Sequence, residues 1–261
     1  MKKAIVCAAM ALALASCGQK PVTKAFWIED KPGPSVQERS IFPTVPDEIW
    51  DSLGLKDGVP SSISCVLLQT EGKDILIDAG LGAPFSQLLP KLAEFGITPE
   101  KLKYVFISHL HPDHIGGMLR DGQKTFPNAE VWINAIETDA WTAMEGDRAA
   151  LPKAVLSAYA DRLHRFQAGD ILPGGVKTIE AYGHTPGHTV FQKDNILIIG
   201  DLIHGAALQV EHPEFCAFFD MDQEAAVEVR RRILRYAVDN KLTLCGMHLP
   251  APGIIKTTYQ D

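Results

Sequence analysis

The sequence is short of positive charge: 25 Lys and Arg stand against 32 Asp and Glu, for a formal net charge of −7. The broad cationic footprint that neutralises nucleic-acid phosphates is therefore missing, and no nucleic-acid partner is expected. Cysteine is scarce too. Of five, Cys7 falls in the N-terminal leader and Cys17 directly after it, and the remaining Cys65, Cys216 and Cys245 are an odd set that makes no disulfide framework. Each reads as a small buried hydrophobe, with Cys216 also a candidate free thiol near the site. No apolar run reaches the roughly 18–20 residues of a spanning helix; the run at 4–15 is about a dozen. Internal repeats and low-complexity tracts are also lacking. What is present is 46% apolar composition over 261 residues, enough to bury the core of one large domain.

Met1-Lys2-Lys3, the apolar run and Leu14-Ala15-Ser16-Cys17 together read as a signal peptide. Leu-Ala-Ser-Cys resembles the lipobox of bacterial lipoproteins, which implies cleavage before Cys17 and acylation of that residue. Several acyl chains, at about 0.8 kcal/mol per buried methylene, give a stable anchor where one chain does not. The lipid on Cys17 is thus the expected membrane contact. Gly18, in place of the Asp that retains some lipoproteins at the inner membrane, points to the outer membrane of the cell envelope. The chain divides into a signal peptide at 1–16, a tether and irregular lead-in at 17–56 with Lys31-Pro32-Gly33-Pro34 as a turn, and a domain at 57–261.

From Ser61 onward, short apolar runs alternate with helical patterns, which predicts a mixed α/β domain. Strands are expected at 64–69, 74–77, 104–108, 130–134, 177–181, 190–192, 196–199 and 242–245. Helices are expected at 85–95, briefly after Thr98-Pro99, and at 152–166 and 223–240. The last has Ala226, Val229, Ile233 and Ala237 as its buried stripe and Arg230, Arg231, Arg232 and Arg235 late in the helix, where the macrodipole favours cations. His109, His188, Asp201 and His248 each fall at or shortly beyond an apolar strand-like run, so side chains from four segments can reach one rim.

Ser108-His109-Leu-His111-Pro-Asp113-His114 packs three imidazoles and a carboxylate into six residues. Neutral imidazole and carboxylate suit zinc and other borderline divalent ions, and a cluster this dense can serve more than one ion. The order His-x-His-x-Asp-His, then Gly183-His-Thr-Pro-Gly-His188, then Gly200-Asp201, then His248, with Leu76-Ile-Asp-Ala-Gly80 upstream, resembles the metallo-β-lactamase-fold hydrolases. That resemblance implies an α/β fold of αβ/βα sandwich type and a dinuclear centre. It places His109, His111 and His188 on one ion, Asp113, His114 and His248 on the other, and Asp201 as the bridge. The expected cofactors are two divalent ions, zinc first among them, sharing a hydroxide that attacks the substrate. His184 is expected to be a turn residue or a neighbour that orients a ligand. Asp78 has two readings, a cap on loop amides or an acceptor for a ligand His. His164 and His212 read as surface residues.

The true β-lactamases of the family commonly carry Cys where Asp201 stands, so a β-lactam substrate is not expected. Gly200-Asp-Leu-Ile-His-Gly-Ala-Ala-Leu-Gln209, Phe219-Asp-Met-Asp222 and Met247-His-Leu-Pro-Ala-Pro-Gly253 resemble most the branch of methyl-parathion hydrolase and acyl-homoserine-lactone lactonases. The implied activity is hydrolysis of a neutral, rather apolar small-molecule ester, lactone or phosphotriester. Asp113, Asp201 and His204 are the candidate catalytic side chains, with His204 a donor to the substrate oxygen or leaving group, and Trp141 a candidate pocket wall. The alternatives are a glyoxalase-like thioesterase, whose basic C-terminal region has no evident counterpart here, and a metal-binding envelope lipoprotein without catalysis. Oligomeric state is not readable from the sequence.

Overall fold

The computed structural model describes residues 22–256 and Tyr259. The expected signal peptide at 1–16 and lipid site at Cys17 lie outside these residues. Two six-stranded sheets carry the fold. The first runs in the order Lys24–Glu29, Ser64–Thr70, Lys73–Ile77, Tyr104–Phe106, Glu130–Asn134, Leu163–Phe166. Its first two pairings are antiparallel and the other three parallel. The second runs Ile171–Leu172, Val176–Glu180, Thr189–Lys193, Ile196–Ile198, Thr243–Cys245, Ile254–Ile255. Only the pairing of Ile196–Ile198 with Thr243–Cys245 is parallel there.

Side chains alternate across a strand, and that period of two builds the layers. Val66 and Leu68 of Ser64–Thr70 meet Phe166, Phe191, Ile198 and Cys245 between the sheets, while Cys65 and Leu67 turn outward to Leu92, Trp141 and Val155. A strand covered on both faces is apolar along its length, as this run is. On the far side of the second sheet, Leu197, Ile199 and Leu244 pack against Val229, Ile233 and Ala237 of the helix Gln223–Asp239. Helix, sheet, sheet and helix layers make the αβ/βα sandwich that the family resemblance implied.

The 17–56 stretch departs from its expected irregularity. Lys24–Glu29 pairs residue for residue with Ser64–Thr70 as the edge of the first sheet, Asp47–Ser52 is helical, and Trp50 is buried with Phe42 and Val59. The folded domain therefore begins well before residue 57. Alternation there is weak because the strand lies at the sheet edge and is only partly buried, and its surroundings are polar and Pro-rich. The helix expected at 152–166 ends at Ala158, and Leu163–Phe166 is a strand parallel to Glu130–Asn134. Phe166 there stacks edge-on with Phe191 across the sheets at 6.1 Å, a contact that a helix continued to residue 166 would forgo. After Thr98-Pro99 the chain makes only one turn, closed by bonds from Lys101 and Leu102 to the Thr98 carbonyl.

The parallel strands Lys73–Ile77, Tyr104–Phe106 and Glu130–Asn134 all end at one edge, and so do Ile196–Ile198 and Thr243–Cys245. Asp78, His109, Asp201 and His248 follow within three residues of these ends, the placement that open α/β sheets give to their ligands. Phe191 joins Phe106 and Phe166 across the sheet interface. Replacing it with Ala should destabilise the protein by about 3–5 kcal/mol, read from denaturant unfolding; a loss below about 1 kcal/mol would mean that the inter-sheet layer is not well packed.

Candidate metal centre

The loop after Tyr104–Phe106 turns abruptly into the helix Pro112–Ile115, where Pro112 occupies the first helical position and His111 is extended at φ −70°, ψ 152°. Pro is suited to that position because its missing N–H would be unpaired there anyway. Gly117 closes the loop against residues 79–80; a Cβ there would stand 2.1 Å from the Ala79 carbonyl oxygen. The tight approach holds His109, His111, Asp113 and His114 over the strand ends.

Each imidazole is set by what its Nδ1 touches. His114 Nδ1 donates to Asp78 Oδ2 at 2.7 Å, His184 Nδ1 to Asp220 Oδ1 at 2.7 Å, and His248 Nδ1 to the Ser62 carbonyl at 2.8 Å. Ser108 Oγ donates to Asp78 Oδ2 at 2.6 Å, so it accepts from His109 Nδ1 at 3.1 Å. With these four protons placed, four Nε2 lone pairs point inward. They surround Asp201: His114 Nε2 lies 2.9 Å from Oδ1, and the Nε2 atoms of His248, His184 and His109 lie 3.1, 3.3 and 3.7 Å from Oδ2. His111 Nδ1 is 2.8 Å from His184 Nε2. Asp113 Oδ2 is 3.4 Å from His248 Nε2.

Acceptors facing acceptors at such distances are stabilised by a cation between them, a proton or a metal ion. His114 Nε2 and Asp201 Oδ1 are buried without a hydrogen-bond partner, a costly arrangement unless a metal ion completes it. The donors fall into two groups, His109, His111, His184 and Asp201 in one, Asp113, His114 and His248 in the other, each with its ligand atoms within 4.8 Å of one another. Nitrogen and carboxylate oxygen in these numbers fit two borderline divalent ions. Burial and the neighbouring His184 push His111 down to about 2, so it stays neutral and able to ligate. Burial opposes charge on His184 as well, but its hydrogen bonds to Asp201 and Asp220 lift it to about 9. Protons thus compete for this site, and metal binding there must release them.

One expected ligand changes. His188 does not join the donors: its Nδ1 donates to the Ala181 carbonyl at 2.9 Å and its Nε2 accepts the Asp201 amide at 3.0 Å. Both nitrogens are used in holding the backbone beneath Asp201. His184 takes the place in the cluster that the sequence reading gave to His188. Two histidines four residues apart in one turn are equivalent by spacing, and only the turn's direction separates them.

His204 also departs from its expected role. Both of its nitrogens are buried, and His204 is not among the side chains that line the cavity beside the donors. Its Nε2 lies 3.3 Å from Asp201 Oδ2, and its ring meets Phe219 edge-on at 5.0 Å. Burial holds its pKa below the ordinary value, leaving a neutral ring behind Asp201. The cavity beside the donors measures about 380 Å³ and is walled by Trp141, Phe219 and Pro112, with Gln37 and Arg148 as polar lining. A larger cavity of about 530 Å³, against Asp30 and Leu89, includes none of the donors. Trp141 is both core and wall, since its Nε1 donates to Glu137 at 2.7 Å.

Glu137 was missed by the sequence reading. Its buried carboxylate accepts from Leu110 N, Trp141 Nε1, Thr185 Oγ1 and Gly187 N at 2.7–2.8 Å, clamping the two histidine loops together. Burial lifts its pKa against the pull of those donors. An acidic residue in the first turn of a helix is ordinary by sequence, so nothing marked it. Asp78 fulfils both of its readings, accepting the Ser108 amide at 2.7 Å and orienting His114. His164 stacks on Trp132 at 4.5 Å and His212 sits beside Glu214, both outside the cluster.

Residues 58–248 match the metallo-beta-lactamase superfamily. The chain belongs to that superfamily. An N-acyl homoserine lactonase of a Bacillus species is 30% identical over 149 residues, 48% of this chain; the match spans about half of that relative, 55% of its length. Among solved structures, hydrolase AbOPH of the beta lactamase superfamily superposes with a TM-score of 0.80 at 28% identity, covering 94% of this chain and 92% of that one. AidC, a dizinc quorum-quenching lactonase in complex with its product N-hexnoyl-L-homoserine, superposes with a TM-score of 0.80 at 26% identity, covering 90% of both.

The two histidines of the 183–188 turn should separate by substitution. His184→Ala is expected to lose the ion of the His109 and His111 group. His188→Ala should keep both ions and lose about 1–3 kcal/mol of stability. Metal content after gel filtration and a denaturant titration measure the two effects; loss of metal only in His188→Ala would restore the assignment made from sequence.

Proposed function

We propose that this protein is a dinuclear-metal hydrolase acting on a neutral, rather apolar ester, with lactones of the acyl-homoserine type first and phosphotriesters or aryl esters next. The observation that carries this reading is the convergence of inward-facing lone pairs around Asp201 at the floor of an apolar-walled cavity. The likeness to AidC and to the Bacillus lactonase supports the substrate class.

His109, His111, His184 and Asp201 would hold one divalent ion and Asp113, His114 and His248 the other, and such ions would lower the pKa of bound water and polarise the scissile oxygen. The chain's own residues do the rest. Asp201 neutralises charge at the centre of the cluster, held by its backbone bond to His188. Trp141, Phe219 and Pro112 receive the apolar part of the substrate and exclude water from it. Gln37 and Arg148, lining the same cavity, are placed to donate to an amide or ester oxygen beyond the reacting bond. His204 supports Asp201 from behind rather than touching substrate.

Elemental analysis should find close to two divalent ions per chain, with lactone turnover lost on chelation and restored by metal. Asp201→Ala should abolish turnover and lower metal content, because both donor groups lean on that carboxylate. Full turnover with one ion or none, or a metal-replete protein inert toward lactones, phosphotriesters and aryl esters alike, would overturn the reading.

We also propose that the mature chain begins at a lipidated Cys17 and is held on the outer membrane. Mass spectrometry of the protein from membranes should show an acylated N-terminal cysteine at that position. Cys17→Ala should block processing or release the protein; an unmodified terminus elsewhere would exclude the anchor.

A further inference from the structure

Arg230 lies in the helix Gln223–Asp239 on the same face as Ala226, Val229, Ile233 and Ala237, and it is 1% exposed. A guanidinium is rarely buried without partners, because the lost hydration must be replaced donor by donor. Here Nε donates to the Leu202 carbonyl at 2.8 Å. Nη1 reaches the carbonyls of Pro213 and Phe215 at 2.6 and 3.3 Å and Cys216 Sγ at 3.8 Å. Nη2 donates to Asp220 Oδ2 at 3.3 Å.

Two of these partners lead directly to the donor cluster. Leu202 is the residue after Asp201, so its carbonyl fixes the backbone from which that carboxylate projects. Asp220 is buried and uses its other oxygen to accept His184 Nδ1–H at 2.7 Å. That bond selects the tautomer in which His184 Nε2 faces His109, His111 and Asp201. Phe219, the pocket wall, is the neighbour of Asp220 in the chain.

We propose that Arg230 is a positioning residue for the metal centre, a single buried cation that sets Asp201 through the Leu202 carbonyl and His184 through Asp220. The inference rests on the reading that the donor cluster holds two ions. Lysine could supply the charge at position 230 but not the planar fork that spans three segments. Asparagine at position 220 would fail for a different reason. Asp220 stands between two donors, His184 Nδ1 and Arg230 Nη2, and an amide must turn its own NH₂ toward one of them.

Cadmium-113 NMR of the metal-exchanged protein, with chelator competition for each site, tests this. In wild type two resonances are expected. Asp220→Asn, which keeps the side-chain volume, should weaken the ion of the His109, His111 and His184 group by about 10–100-fold and leave the Asp113, His114 and His248 group close to wild type. Arg230→Met should weaken both, since the Leu202 anchor is lost too, and Arg230→Lys should fall between. Arg231→Met, on the exposed side of the helix, should match wild type. Where Arg230→Met does not fold, the site-selective loss in Asp220→Asn decides alone. Wild-type affinities in Asp220→Asn, or an equal loss at both sites, would overturn the positioning role. A wild-type chain that binds no ion overturns the metal reading and this inference together, whereas two bound ions without lactone turnover would sink only the proposed substrate.

Discussion

Asp201 is buried with the Nε2 atoms of His109, His114, His184 and His248 all within 3.7 Å of its oxygens. That crowding of acceptors is the constraint to which the rest of the site answers. Left without cations, lone pairs at these distances repel, and the buried carboxylate lacks the solvation it would have in water. The protein therefore cannot treat the centre as ordinary core. It must hold the rings from outside, and each ring is held through its Nδ1, by Asp78, Asp220, Ser108 or the Ser62 carbonyl.

Those supports come from different layers of the fold. Asp78 and Ser108 follow adjacent parallel strands of the first sheet, Ser62 precedes its second strand, and Asp220 depends on a helix that covers the second sheet. Glu137 joins the two histidine loops across the top. The sandwich is thus more than a platform for the loops. Its two halves must dock in register, through Phe106, Phe166 and Phe191, before the donors of both halves can meet. A substitution deep between the sheets is expected to reach the metal centre by this route.

A fold does not by itself fix a reaction, and the chemistry proposed for this chain rests on the cavity beside the donors. Trp141, Phe219 and Pro112 make its walls apolar, and Gln37 enters from the segment before residue 57. The N-terminal stretch that reads as a tether thus lends a side chain to the cavity beside the donors. Phe219 and Asp220 are consecutive, one facing the cavity and the other bracing His184, so the cavity wall and the support of the cluster share a few residues of one loop.

Taken alone, the sequence determined a mixed α/β domain, most strand positions and the donor-rich run, while its family resemblance implied the sandwich layers and six of the seven residues that the structure gathers into two potential metal-binding groups around Asp201. Those features are written in local patterns: alternation over a few residues, and the dense run from His109 to His114. Tertiary structure decided the rest. It chose His184 over His188, because spacing makes the two equivalent and only the path of the turn aims one ring inward. It withdrew His204 from the cavity, since burial is a property of the packed whole. It gave Glu137, Asp220 and Arg230 their work through partners 10 to 50 residues away. It also made a strand of Lys24–Glu29, whose alternation has meaning only beside Ser64–Thr70. Long-range pairing carries no signature in neighbouring residues, and that is the physical limit of reading this protein from its chain.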